Sequence, residues 1–323
     1  MGDIEQPASA VQPVVGRLAP SPSARMHVGN LFCSLVAWIC AKRAGGRIVL
    51  RIEDLDRERC KRAHSEAIMR DFERLGLLWD NEEVVWQGDR TAAYECAFEK
   101  LQAHGLLYPC FCSRANLHAA SAPHRGEKFI YAGTCRTLTA VQQRERAQRR
   151  HPAWRIKVDG APEITVEDRF QGTVSQVLSR DCGDYIVRRS DGVYAYQLAV
   201  VVDDLYQGVN QVIRGADLLD SAPQQTWLRH LLAPGAPECA FGHVPLLVDA
   251  QGRRLSKRDH DLDLDGLLER FGSVPALWGA IAGATGLRDS TQPVSLEELV
   301  AAADLEALRG RMRIVWPSGG ERG

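Results

Sequence analysis

The chain has 323 residues and a formal net charge of −1, so no overall field draws it onto nucleic acid or a membrane, and binding to a polyanion requires a local basic patch. Its composition, 45% hydrophobic and 25% charged, is that of a globular protein, and its length favours two domains or one large domain with insertions. Segment 1–13 lacks the features of a signal peptide and is expected to be a disordered leader. The sequence contains no run of 18 uncharged apolar residues that would indicate a membrane span. The nine cysteines mostly stand alone in apolar segments, which favours a reduced, cytoplasmic chain.

Strand-like and helical patterns alternate over residues 14–109. The strand-like runs are 14–19 and 47–52, and the helical patterns run from Met26 to Gly45 and over 63–75 and 91–104. This alternation predicts an α/β fold with a parallel sheet and crossover helices. Ligands bind at the carboxyl ends of such strands. We therefore expect residues Arg17–Ser21 and the acidic cluster Glu53–Asp56 to face one cleft.

The pattern changes at about residue 110 and returns to α/β character at about 190. Residues 110–190 are interpreted as an insertion with short strands and a basic helix over 141–152, and Asp191-Gly192 signals a hairpin. Residues 191–240 form the expected second half of the α/β domain, with buried strands at "YQLAVVVDDL" and "QVIRGADLL" before a helix over 222–232. Residues 241–315 are expected to contain a loop and a helical segment, and 316–323 to be a disordered tail.

The stretch "PSPSARMHVGN", residues 20–30, stands at the first strand-to-helix junction. A helix N-terminus offers unpaired N–H groups and binds phosphate readily. Gly29 leaves room for a planar base against the backbone, and His27 adds a ring N–H that can reach a phosphate oxygen. Taken alone, the stretch is equally typical of turn and capping chemistry.

A second cationic stretch, "RRLSKRD", occupies residues 253–259. It is typical of a solvated basic turn. Its alternative interpretation is a mobile loop that closes on a triphosphate, with Arg254 and Lys257 neutralising the leaving pyrophosphate.

The two stretches together resemble class I aminoacyl-tRNA synthetases, "MHVGN" their His-x-Gly-x signature and "RLSKR" their Lys-Met-Ser-Lys-Ser loop. Further segments resemble the glutamyl branch: "GRLAPSPS", "RIEDLD", "YAYQLAVVVDD" and "VIRGAD". The resemblance runs from about Gly16 to Arg258 and implies a Rossmann-like catalytic core with a C-terminal helical segment. It departs at Ala24, where the family usually has glycine. A positive φ there would strain the turn.

The resemblance implies two groups of site residues. The implied ATP-binding residues are Pro20, His27, Gly29, Asn30, Arg254, Ser256 and Lys257, of which His27, Gly29 and Lys257 are the expected catalytic residues. The implied glutamate-binding residues are Arg17, Leu18, Ala19, Pro20, Ser21, Glu53, Tyr196 and Arg214. Arginine suits the side-chain carboxylate because its planar fork meets it bidentately, and Glu53 suits the ammonium. Each residue also has an ordinary structural interpretation, as an ion pair, a helix cap or part of the core.

Three cysteines within 26 residues, Cys110, Cys112 and Cys135, indicate a zinc site in a reduced chain. The alternatives are buried free thiols or a disulfide, and the spacing leaves the fourth ligand open, with His118 and His124 nearby. The sequence also resembles a short paralogue of the glutamyl branch with the pattern Cys-x-Cys…Tyr-x₃-Cys. That resemblance implies Tyr131 as the fourth ligand of one structural Zn²⁺, without an open position for catalysis.

Only 65 residues follow Arg258, so we expect no anticodon-binding domain. The resemblance to the short paralogue then implies tRNA-independent activation of L-glutamate with ATP and Mg²⁺, and transfer to the queuosine base in the anticodon stem-loop of tRNA(Asp). The alternatives are a short glutamyl-tRNA synthetase that charges a tRNA 3′ end, an inactive synthetase-like RNA-binding module, and a nucleotidyltransferase. We expect a monomer. The candidate RNA contacts, which a solvated helix face would also explain, are Arg144, Arg146, Arg149 and Arg150.

Overall fold

The structure of the chain is a computed structural model, which describes residues 12–113, 130–253, 255 and 263–317. The expected leader lies almost wholly outside these residues, as does most of the expected tail. The same is true of His118, His124, Arg254, Ser256 and Lys257.

The first half of the α/β domain alternates strands and helices, as the sequence predicts. Its elements are β1 (Val15–Leu18), α1 (Val28–Arg43), β2 (Arg47–Ile52), α2 (Arg62–Arg74), β3 (Val85–Trp86) and α3 (Thr91–Ala103). The three strands pair in parallel in the order β1-β2-β3. Helix α1 covers this sheet because its apolar side chains repeat at helical spacing, and Leu31, Leu35 and Ile39 are fully buried.

The middle region contains mainly antiparallel strands. Its elements are β4 (Leu107–Cys110), α4 (Ala140–Ala147), β5 (Ala153–Ile156), β6 (Glu163–Asp168), β7 (Gly172–Val177), the one-turn helix α5 (Leu178–Asp181) and β8 (Ile186–Arg188). Strands β4, β5 and β8 form one antiparallel sheet, and β6 pairs antiparallel with β7. The described part of the region therefore has the short strands that the sequence predicts.

The last part returns to parallel pairing. Its elements are α6 (Tyr196–Tyr206), β9 (Gln211–Gly215), α7 (Ser221–Leu232), β10 (Ala240–Val244), β11 (Leu246–Val248), α8 (Leu264–Phe271), α9 (Val274–Thr285), α10 (Leu296–Ala302) and β12 (Arg313–Val315). Strand β10 lies between β6 and β9 and is parallel to both, and β11 pairs with β12.

Strands β1 and β9 join the two halves side by side. The backbone N–H of Val15 donates to Asn210 Oδ1 (2.8 Å), and the Asn210 N–H donates to the Val15 carbonyl (3.1 Å). Further along both strands, Arg17 Nη1 donates to the Ile213 carbonyl (3.3 Å). The two strands therefore run in the same direction, and the carboxyl ends of β1, β2, β9 and β10 share one edge.

One predicted strand is wrong. The segment "YQLAVVVDDL" forms helix α6, which packs against α3 and α7. Its apolar run is continuous because the helix is buried along most of its length, and such a short run has no period that separates strand from helix. The hairpin signal is partly correct: Gly192 makes a turn at φ +88° and Arg188 bridges to Tyr194, but α6 begins two residues later.

Candidate active site and metal centre

A cleft of about 490 Å³ opens at the shared carboxyl edge of the strands. It is lined by the eleven predicted ATP- and glutamate-binding residues that the structure describes: Arg17, Leu18, Ala19, Pro20, Ser21, His27, Gly29, Asn30, Glu53, Tyr196 and Arg214. Leu255, from the cationic loop, also lines it. The remaining predicted ATP-binding residues, Arg254, Ser256 and Lys257, lie outside the described residues. The structure thus brings the described members of both predicted groups into one cavity.

His27 caps the N-terminus of helix α1 at one end of the cleft. Its Nδ1 accepts a hydrogen bond from the Gly29 N–H (3.1 Å), and Asn30 Oδ1 accepts from the His27 N–H (3.1 Å). Because Nδ1 accepts, the neutral ring carries its proton on Nε2. The capping interaction therefore occupies one helix N–H and makes Nε2 the N–H donor of the neutral ring.

Gly29 leaves space for the His27 ring because it has no side chain. A Cβ at position 29 would lie 3.0 Å from His27 Cε1 and 3.1 Å from Nδ1, closer than ordinary van der Waals contact. The turn before the helix is relaxed: no described non-glycine residue, Ala24 included, has a positive φ. The departure from the family's glycine at Ala24 therefore carries no backbone strain.

Arg214 also lines the cleft and is 5% exposed. Its guanidinium donates to His243 Nε2 (2.8 Å), Gln225 Oε1 (2.6 Å), Tyr196 Oη (3.2 Å) and the Leu218 carbonyl (3.2 Å). None of these partners is an acid, and no carboxylate in the described ranges pairs with Arg214. Within the described residues, its hydrogen-bond partners are therefore all neutral.

Arg17 differs from Arg214 because it has an acidic neighbour. Its Nε lies 3.5 Å from Asp204 Oδ1. The same oxygen accepts from Arg51 Nη1 (2.8 Å), and Arg51 Nη2 donates to Glu53 Oε1 (3.1 Å). Burial raises the pKa of Glu53, although Arg51 and Arg17 oppose that rise. These contacts place Glu53 at the cleft wall.

Arg51, Asp203 and Asp204 are absent from the sequence-based site. Arg51 is fully buried, and burial lowers its pKa, but Asp204, Glu53 and Asp203 raise it overall. Asp203 is also fully buried and accepts from Arg90 Nε (2.6 Å). A signal was present in the sequence: two adjacent acids at the end of an apolar run require cationic partners if the run is buried. The identity of those partners depends on the tertiary fold.

The three candidate metal-binding cysteines converge in the insertion. Their sulfur atoms lie within 4.8 Å of one another. The Tyr131 hydroxyl lies 3.5 Å from Cys110 Sγ and 3.6 Å from Cys112 Sγ, and Cys112 Sγ lies 3.6 Å from Cys135 Sγ. Donors at the corners of a zinc tetrahedron are about 3.5–3.8 Å apart, given bonds of about 2.0–2.3 Å. Four groups of the right type and spacing therefore fit one tetrahedral ion.

Arg155 supports this cluster from behind. Its Nε donates to Cys110 Sγ (3.3 Å), its Nη1 donates to the Asp184 carbonyl (2.6 Å), and its guanidinium lies 3.8 Å from the centroid of the Tyr131 ring. Burial raises the pKa of the Cys110 thiol, but its hydrogen bonds with Tyr131, the Cys112 backbone and Arg155 outweigh burial and lower that pKa overall. Burial raises the pKa of Cys112 to about 11, so a metal would displace a proton there.

The predicted basic patch, Arg144, Arg146, Arg149 and Arg150, is exposed on α4 and the residues after it. Arg146 Nη1 also lies 3.9 Å from Cys135 Sγ. One arginine of the patch therefore lies against the buried cysteine cluster. No described helix is long and apolar enough to cross a membrane.

The family comparison identifies the parallel sheet and its cleft as a class I synthetase core. The family model of the class I tRNA synthetases (E and Q), catalytic domain, matches residues 13–301. The fold is also similar to a crystal structure of glutamate-tRNA synthetase from Elizabethkingia anophelis, with a TM-score of 0.79, 24% identity, and coverage of 95% of this chain and 68% of that chain.

Relatives define the group more narrowly. The chain is 44% identical over 301 residues to the glutamyl-Q tRNA(Asp) synthetase of Symbiobacterium thermophilum, covering 90% of this chain and 92% of that protein. It is 42% identical to the protein of the same name from Thiobacillus denitrificans, covering 84% and 88%. The chain belongs to the class I tRNA synthetases for glutamate and glutamine and, within them, to the family of glutamyl-Q tRNA(Asp) synthetases.

Proposed function

We propose that this chain activates L-glutamate with ATP, without tRNA, and transfers the glutamyl group to the queuosine base in the anticodon of tRNA(Asp). The proposal is carried by one observation: a chain at 44% identity to a glutamyl-Q tRNA(Asp) synthetase gathers the described candidate ATP and glutamate residues in a single cleft.

The His27 end of the cleft is the proposed ATP site. The Nε2–H of His27 would donate to a phosphate oxygen, and Gly29 would let the nucleotide approach the backbone beside Pro20 and Asn30. Arg254, Ser256 and Lys257 are proposed to neutralise the departing pyrophosphate. Mg²⁺ that enters with ATP supplies further charge neutralisation for the phosphates.

The Arg214 end is the proposed glutamate site. The Arg214 guanidinium, whose described hydrogen-bond partners are all neutral, would bind the side-chain carboxylate, and Arg17 lines the same cleft. Glu53 would pair with the ammonium. Tyr196 accepts a hydrogen bond from Arg214, so its own O–H is available to donate to the substrate. Glutamine would face Arg214 with an amide instead of a negative charge, which disfavours it.

The chemistry has two balanced steps. An oxygen of the glutamate α-carboxylate attacks the α-phosphorus of ATP, a new P–O bond forms, and the bond to the pyrophosphate oxygen breaks. A cyclopentenediol hydroxyl of queuosine then attacks the glutamyl carbonyl, an ester forms, and AMP leaves while its phosphate takes the hydroxyl proton. Positioning and charge neutralisation supply the catalysis, so the protein needs no dedicated general base.

We also propose a role for each segment of the chain. Residues 14–109 and 191–240 form the catalytic halves, 110–190 the acceptor-binding insertion, and 241–315 the loop and helical segment. Cys110, Cys112, Tyr131 and Cys135 would hold one Zn²⁺ whose role is structural, because four protein ligands leave no open position. The adjacent basic patch would contact the anticodon stem-loop.

Two assays test the proposal. ATP–pyrophosphate exchange should require glutamate and proceed without tRNA, and labelled glutamate should move to queuosine-containing tRNA(Asp) but not to the unmodified RNA. Charging of tRNA(Glu) would instead support a short glutamyl-tRNA synthetase. Absence of exchange with and without tRNA would favour a binding module and refute the enzymatic proposal.

A further inference from the structure

Three polar residues lie in a row across adjacent strands behind the glutamate end of the cleft. Arg214 on β9 is the register partner of His243 on β10, and Asp168 ends β6 on the other side of β10. The His243 ring and the Asp168 side chain are completely buried. Parallel pairing thus places an acid, an imidazole and a guanidinium at the same edge of the sheet.

We propose that His243 and Asp168 are positioning residues that set the specificity for a carboxylate side chain. They hold the Arg214 guanidinium in place and keep a negative charge away from it. This inference rests on the proposed function, in which Arg214 binds the side-chain carboxylate of glutamate.

The hydrogen bonds fix the state of the His243 ring. Arg214 Nε can only donate, so His243 Nε2 accepts this bond and carries no proton. The ring proton is therefore on Nδ1 and is donated to Asp168 Oδ2 at 2.5 Å. Asp168 Oδ1 accepts from the backbone N–H groups of Phe170, Gln171 and His243, so the carboxylate itself cannot rotate freely.

A neutral ring between the acid and the arginine has an electrostatic consequence. Arg51 and Arg17 are each within 4 Å of a carboxylate oxygen of Asp204, whereas the hydrogen-bond partners of Arg214 among the described residues are neutral. If Asp168 contacted Arg214 directly, its charge would satisfy the guanidinium and compete with the ligand. The neutral imidazole fixes the orientation of the Arg214 guanidinium without pairing with its charge. The guanidinium can then pair with the ligand's carboxylate.

Three variants separate positioning from packing. Asp168→Asn keeps the size and the Oδ1 acceptor, but its amide donates toward His243 Nδ1, so the ring proton moves to Nε2 and opposes Arg214. His243→Leu removes the acceptor. His243→Gln restores an acceptor near the position of Nε2 and serves as the conservative variant.

The kinetic test is ATP–pyrophosphate exchange with separate titrations of glutamate and ATP. We expect Asp168→Asn and His243→Leu to raise the glutamate KM by about 10-fold or more, with the ATP KM unchanged. His243→Gln should recover most of the loss. A glutamate KM within twofold of wild type in Asp168→Asn and His243→Leu would overturn the inference.

A second measurement is independent of activity. The ¹⁵N and ¹³C NMR shifts of His243, assigned by difference from His243→Gln, should report the Nδ1–H tautomer in the wild type and Nε2–H in Asp168→Asn. The Nε2–H tautomer in the folded wild type would overturn the inference even if His243→Leu fails to fold. Wild-type protein without glutamate-dependent exchange would refute the proposed function, whereas active wild type with unaffected variants would refute only this inference.

Discussion

Replacement of Arg214 by glutamine should remove most of the selectivity for glutamate. The side chain is 5% exposed and makes four hydrogen bonds to neutral partners. We therefore expect the carboxylate of the ligand to be the anionic partner of Arg214. Truncating one member of a buried, hydrogen-bonded charge pair costs about 2–5 kcal/mol. This corresponds to an increase in the glutamate KM of about 30-fold to about 4,000-fold.

The matched control is Arg309→Gln. Arg309 donates to Glu306 at 3.0 Å, and both side chains are more than 60% exposed, so the same substitution there should change the KM by less than about twofold. Exchange rates would be measured against glutamate and glutamine concentration for the wild type and both variants. Circular dichroism would check that Arg214→Gln is folded.

Two results would refute the reasoning. A folded Arg214→Gln protein with a glutamate KM within threefold of wild type would show that another group binds the side-chain carboxylate. An equal loss of apparent affinity for ATP would show that the variant disturbs the whole cleft instead of one subsite. The expected result is a selective loss for glutamate, with the preference over glutamine reduced.

Three further predictions concern the metal, the RNA and pH. Cys110→Ser should lose stoichiometric zinc by elemental analysis, whereas Cys96→Ser, at an exposed thiol, should keep it; retained zinc in the former would exclude the proposed ligand set. Replacing the four arginines of the basic patch by alanine should reduce transfer to queuosine-containing tRNA(Asp) and leave exchange unchanged; a fall in both would contradict a role in RNA binding alone. Burial lowers the pKa of His243 below its ordinary value of 6.5, so the unfolded state takes up the proton first. The stability from this group is thus lost as the pH falls below about 6.5. Urea unfolding at pH 7.5 and 5.5 should show a smaller loss in His243→Gln, and an equal loss would assign the effect to other groups.

The cleft residues could be predicted because strand ends are visible in the sequence. Arg17, Glu53 and Arg214 each end or follow an apolar run, and parallel pairing brings such ends to one edge. The register of β1 with β2 and of β9 with β10 does so here. His27 and Gly29 were found from a local motif whose geometry is contained within one helix turn. A local motif of this kind can be recognised in the sequence because its geometry does not depend on residues far along the chain.

Tyr196 shows the limit of prediction from the local sequence pattern. It was placed in the cleft by family resemblance, while the pattern around it predicted a strand instead of helix α6. Burial on several sides removes the alternation of polar and apolar residues that distinguishes the two structures. The residue lines the cleft, its role in binding glutamate stays a prediction, and the predicted strand around it is wrong.

The supporting charges could not be predicted from the sequence because each depends on a partner far along the chain. Arg51 meets Asp204 across 153 positions, and Asp168 meets His243 across 75. A buried acid implies a cation, but only the tertiary fold decides which cation receives it. That decision matters for function, since Asp204 compensates Arg51 and lies beside Arg17, whereas Asp168 is kept from Arg214 by a neutral ring. In the proposed function the motif residues bind glutamate, and the buried partners determine which arginine is left without an acidic partner among the described residues.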